Sequence, residues 1–146
     1  MALFSSFAIS GSGMSAERLR LDIISNNVAN MNTAGKVNDP TKPVYRRQVP
    51  VFAQQLQQVM EQKDTQSYRG AGVKVVGIAH DPNPPRLVHD PSHPYADEQG
   101  YVAYPNVNIL NEITDTMTAV RAYESNVTAL NAAKSMAMKA LDIARA

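Results

Sequence analysis

The sequence predicts a mainly α fold with a β-rich insert, in which long N- and C-terminal helices pair as a coiled-coil-like core around short strands and extended loops. Three observations predict it. Apolar residues recur at helical spacing at both ends of the chain, and all nine prolines fall in or at the edge of the stretch between them. That stretch also carries short runs rich in valine, tyrosine and phenylalanine, bounded by turn-forming residues.

The first helix is expected from about Phe4 to Asn30. Phe7, Met14, Leu21 and Val28 stand at heptad spacing, with Ile24 and Met31 half a heptad away. Gly11 and Gly13 weaken its opening turns by about 1 kcal/mol each relative to alanine, so fraying is expected there. Asn26, Asn27, Asn30 and Asn32, followed by Gly35, favour caps and turns and mark its end.

Residues 33–104 read as the insert. Strands are expected in the runs at 44–52, 72–78 and 100–104, separated by Asp-Pro, glycine and asparagine turns. Between the first two lies a Gln-rich polar stretch, Gln54 to Gly70, whose pattern fits either a short helix or a loop.

From Asn106 to Ala144 the helical period returns. Ile113, Val120, Val127 and Leu141 lie at heptad spacing, and Tyr123, Leu130, Ala137 and Ala144 occupy the neighbouring position. Such a helix reaches about 58 Å, at about 1.5 Å per residue, which is more than a domain of this size encloses. Its threonines, valines and Asn126 are mediocre helix formers, so packing has to stabilise it. Residues 1–32 with 105–146 are thus expected to form the helical core. Leu21, Ile24, Val28, Ile113, Val120, Tyr123, Val127, Leu130 and Leu141 are its expected packing residues.

Composition narrows the function. Lysine and arginine number 14 against 13 acidic residues, a net charge of +1, so no strong field gathers nucleic acid. Nucleic acid is therefore not an expected partner. The absence of cysteine removes thiolate nucleophiles, thiolate metal sites and disulfides together. No run of 18 or more apolar residues provides a membrane span, and no basic residues precede the first apolar patch as a secretory signal requires.

Candidate chemistry is sparse. His80, His89 and His93 beside Asp81 and Asp90 contain zinc-ligand types, and a small metal-dependent hydrolase would use them. Their setting in Asp-Pro and His-Pro dipeptides reads instead as turns. Gly11-Ser12-Gly13 and Gly70-Ala71-Gly72 lack the lysine and the strand-to-helix context of a phosphate loop. Tyr45, Arg46 and Arg47 and, further on, Lys63, Tyr68 and Arg69 interleave aromatic and basic groups, but on a chain of net charge +1 they read as a solvated or subunit-facing strand. No catalytic residue and no cofactor is expected.

Two tracts carry a resemblance. Ser12 to Gly35 resembles the N-terminal signature of flagellar rod and hook proteins, chiefly through Asn27, Ala29, Asn30, Asn32 and Thr33. Tyr104 to Ile143 is similar to the matching C-terminal signature at Tyr123, Glu124, Asn126, Val127, Asn131, Lys134 and Met136. The run YRRQVPVF, the tract from Val88 to Asn108, the short length and the spacer Val37 to Val44 resemble the proximal members of the flagellar basal-body rod family. The resemblance implies a non-enzymatic structural subunit of the periplasm-spanning rod, assembling helically with itself and other rod proteins to transmit torque for motility. It further implies passage through the flagellar type III export apparatus, and no direct membrane insertion.

Overall fold

In the computed structural model the described chain comprises all residues except 1, 38, 40, 61–65 and 146; the side chains of 2–4, 57–60, 66–69, 144 and 145 also lie outside it. Helix α1 spans Ala2–Ala29 and helix α2 spans Ile109–Arg145. Between them run strands β1 (Gln48–Met60), β2 (Gln66–His80), β3 (Arg86–His89) and β4 (Tyr101–Tyr104). The core is a pair of antiparallel helices, with one long hairpin lying against α1 and a short one beside its C-terminal end.

Both helices take their ends from local chemistry. The Asn108 side chain caps α2, its Oδ1 accepting from the backbone N–H of Leu110 at 2.9 Å and of Asn111 at 3.4 Å. At the close of α1 the Thr33 hydroxyl donates to the Asn30 carbonyl at 2.7 Å, satisfying one of the oxygens a helix end leaves free. The hydroxyl residues of α2 are accommodated in the same local way. Thr114, Thr116, Thr118, Ser125 and Thr128 each donate to the carbonyl four residues back, so they need no partner outside the helix. Gly11 and Gly13 lie inside α1, which begins at Ala2 without a break.

The insert departs from expectation in three places: the first strand begins at Gln48 rather than at Val44, Arg86–His89 forms a strand where none is expected, and the Gln-rich stretch is drawn into the long hairpin. Gln54 to Met60 continues β1, and Gln66 to Gly70 opens β2, so the described part of the Gln-rich stretch is strand, neither helix nor loop. Residues 61–65 of that stretch lie outside the described residues. The pairing is antiparallel, Gln48 opposite His80 through Met60 opposite Gln66, and only the cross-strand partner reveals it. Two bulges sit in β2, where Val76 and Ala71 have no opposite number. The second is followed by Gly72, whose φ of 109° is open to glycine and costly to other residues. A Cβ at Gly72 would also collide with the Ser12 hydroxyl of α1.

Strands β3 and β4 pair from Arg86–Tyr104 to His89–Tyr101. Gly35 bridges to Ala103, exchanging both backbone hydrogen bonds at 2.9 and 3.2 Å, and so ties the exit of α1 to β4. Val102 and Ala103 are buried there.

Candidate assembly surfaces and the polar interlock

The helix pair buries an unusual seam. Among the described residues the buried positions of α1 are Ser10, Ala16, Ile23, Ile24 and Asn27, and those of α2 are Glu112, Ala119 and Ala133. Gly13 lets α2 approach closely, since a Cβ there would lie 2.9 Å from the Asn126 side chain. Position 13 is therefore a contact glycine rather than only a weak point in a helix.

Of the packing residues expected from periodicity, Ile24 is buried, and Leu21, Val28, Val127 and Leu130 are half-buried. Ile113, Val120, Tyr123 and Leu141 stand exposed on the single chain, at 49%, 38%, 37% and 59%. Within the chain, α2 faces α1 with the heptad set Glu112, Ala119, Asn126 and Ala133, one residue and hence about 100° away from the apolar stripe of 113, 120 and 127. The displacement has a physical reason. A seam of alanine, glycine and polar groups allows close approach, so the bulky apolar residues of α2 are turned outward.

The outward residues form a stripe. Leu110, Ile113, Met117 and Val120 follow each other at steps of three and four, and Met136, Met138, Leu141 and Ile143 are exposed farther along. The long hairpin exposes Val51, Phe52, Leu56, Val76 and Ile78 as well. Exposed apolar surface, where it is contiguous, is characteristic of interaction sites.

At the other end of the seam lies a buried polar interlock. Asn27 uses its whole hydrogen-bonding capacity. Its Oδ1 accepts from the Gln48 N–H at 2.9 Å and the Tyr45 hydroxyl at 2.8 Å, while its Nδ2 donates to the Gln48 carbonyl at 2.9 Å and to Glu112 Oε2 at 3.2 Å. The second Glu112 oxygen accepts from Arg47 Nε at 2.6 Å. Arg47 also donates to Asp115 Oδ2 at 3.1 Å, and Arg20 of α1 donates to Asp115 Oδ1 at 3.0 Å. Asn27 and Glu112 are both fully buried.

The interlock joins three parts of the chain that are remote in sequence: α1, the start of β1, and α2. It perturbs its titratable members. Burial opposes the Arg47 charge, but the hydrogen bond to Glu112 and the negative charges of Glu112, Asp115 and Asp81 outweigh it and raise the guanidinium pKa. Burial first, and then the Glu112 charge, raise the Tyr45 phenol above its ordinary value of 10.0.

Sequence reasoning missed this cluster. Local preference places Asn27 at a helix end, and the residue pattern reads Tyr45 and Arg47 as part of a solvated or subunit-facing strand. The structure turns Tyr45 and Arg47 inward and leaves Arg46 exposed. The available signal was the heptad Gly13, Arg20, Asn27, which places polar groups on one line of α1.

The histidines have other surroundings. His93 Nδ1 accepts from the Tyr95 N–H at 3.1 Å, and His89 meets the Tyr101 ring edge-on at 5.1 Å between centroids. Among the described residues no three histidine, cysteine or acidic side chains gather as a metal-binding group, and no helix is long and apolar enough to cross a membrane.

Comparison with known proteins agrees with the arrangement of two terminal helices around an insert. Residues 7–35 match the family described as flagella basal body rod protein, and residues 98–143 match the flagellar basal body rod FlgEFG protein C-terminal family. The chain is 40% identical to the flagellar basal-body rod protein FlgC of Borreliella burgdorferi, over 98% of each chain. It is also 40% identical to FlgC of Bacillus subtilis, over 99% of this chain and 100% of that one, and 36% identical to FlgC of Escherichia coli O157:H7, over 98% of each. With identity at that level along nearly its whole length, the chain belongs to the FlgC family of flagellar basal-body rod proteins, structural subunits of the rod.

Proposed function

We propose that this chain is a non-enzymatic subunit of the proximal rod that assembles helically with copies of itself and with other rod proteins, and that its outward α2 stripe carries those contacts. The observation that carries the reading is the exposure of Leu110, Ile113, Met117, Val120, Tyr123 and Leu141 on a helix whose inner face is already satisfied by α1. In water such a stripe is unfavourable; covered by neighbouring helices it stabilises the assembly, at about 25 cal/mol per Å² of apolar area removed from solvent. Open contacts between unlike faces propagate as a helix, which suits a rod that transmits torque. Residues 1–32 with 105–146 act as the rod-forming helical core, and 33–104 as an outer, β-rich part. The chain reaches its place through the flagellar type III export apparatus.

The test is a variant carrying Ile113→Asp and Val120→Asp, at positions exposed on the single chain. The purified variant is expected to keep the circular dichroism spectrum and melting temperature of the parent, while cells that make it lack rods and do not swim. Normal rods and swimming would overturn the assignment of the stripe. A misfolded variant would overturn it too, by showing that the stripe packs within its own chain.

A further inference from the structure

We propose that Asn27 and Glu112 act as a register key, selecting one of several steric alternatives for the pairing of α2 on α1. The helices meet at Asn27–Glu112 and again, two heptads along each, at Gly13–Asn126. Between and beyond those points α2 contributes the small buried side chains Ala119 and Ala133, while α1 contributes Ser10, Ala16, Ile23 and Ile24. The Arg20–Asp115 ion pair that also crosses the helices, at 3.0 Å, is partly exposed and constrains register less than a buried pair. The Asn126 amide is no strong brake, because Nδ2 is already satisfied by the Ala122 carbonyl of its own helix at 2.9 Å, a bond it keeps in any register.

Asn27 is different. A slide of one heptad in one direction sets Ala119 against it, and in the other it sets the segment before α2, which starts at Ile109. Either way Nδ2 loses its carboxylate and Glu112 loses the amide, inside a site where both are fully buried. A polar pair in an otherwise permissive helix interface is a known device for choosing register. Register matters here because Asn27 also holds Gln48, so it sets α2 relative to the long hairpin. One heptad of error carries the outward stripe of α2 about 10 Å along the rest of the subunit.

The absence of cysteine makes the test clean. Full-length chains are made with cysteines at Gly13 and Asn126 for the observed register, or at Gly13 with Ala119 or Ala133 for the two slid registers, and intramolecular disulfide formation is timed. In the parent background the 13/126 pair is expected to close at least about tenfold faster than either slid pair, the ratio that one lost buried hydrogen bond implies. With Asn27→Leu and Glu112→Leu present, the slid pairs should close at comparable rates while helix content by circular dichroism is retained. Exclusive 13/126 closure in the leucine background would overturn the proposal. So would loss of helix there, since the cluster would then hold the chain folded rather than choose its register.

Discussion

Arg47 Nε donates to Glu112 Oε1 at 2.6 Å, and this bond joins a residue preceding the long hairpin to the first turn of α2. Glu112 is fully buried, so its carboxylate depends on Arg47 and Asn27 for everything water would otherwise supply. Arg47→Met is therefore expected to destabilise the chain by about 3–5 kcal/mol, because it strands a buried charge. Pairing it with Glu112→Leu should recover most of that loss. Urea denaturation of the parent, the single and the double variant measures both effects. Arg46→Met, at the exposed neighbouring position, should change stability by no more than about 0.5 kcal/mol.

Gly72 meets two demands at once, a φ of 109° and close approach by Ser12. The Ser12 hydroxyl donates to the Ile9 carbonyl at 2.7 Å and accepts from the Val73 N–H at 3.1 Å, pinning the hairpin to α1. Gly72→Ala is expected to cost about 1–3 kcal/mol in backbone strain alone, with the collision in addition. Ser12→Ala in the same chain should return most of the collision part, a 3.1 Å approach to the Cβ at position 12 remaining, and leave the strain. A thermal-melt double-mutant cycle separates the two.

The Tyr45 phenol should titrate above 10.0, because burial and then the Glu112 charge disfavour its phenolate. Its folded pKa is raised above the unfolded value, so its contribution to stability is complete below the unfolded pKa and is lost as pH rises through the folded one. Phenolate absorbance should show a late-titrating component in the parent that is missing from Tyr45→Phe. The decline of stability in strong alkali should also be shallower in that variant, and an unchanged slope would contradict the assignment.

Asn108→Ala removes the side chain that accepts from the Leu110 and Asn111 N–H groups. A loss of about 1 kcal/mol is expected from the missing cap. Asn108→Asp should restore it, since a carboxylate caps equally well and favours the positive end of the helix. Equilibrium unfolding of the two variants checks the order.

The sequence by itself determined the extent of the two long helices, the confinement of the insert between them, and the family. The helices and the insert rest on local signals, the spacing of Leu21, Val28, Val120 and Val127 and the prolines that stop a helix wherever they fall, and the family rests on the terminal tracts Ser12 to Gly35 and Tyr104 to Ile143. Only the tertiary structure decided which face of α2 meets α1. Periodicity marks the bulky stripe of Ile113 and Val120, yet the chain buries Ala119 and Ala133, because small residues let backbones approach and the polar groups of Asn27, Arg47 and Glu112 reach one another there. It likewise decided that Gln54 to Met60 is strand, since a polar run becomes a ladder only when residues 66–73 lie opposite it. Contacts between residues far apart in the chain carry no local pattern, and the interlock consists of such contacts.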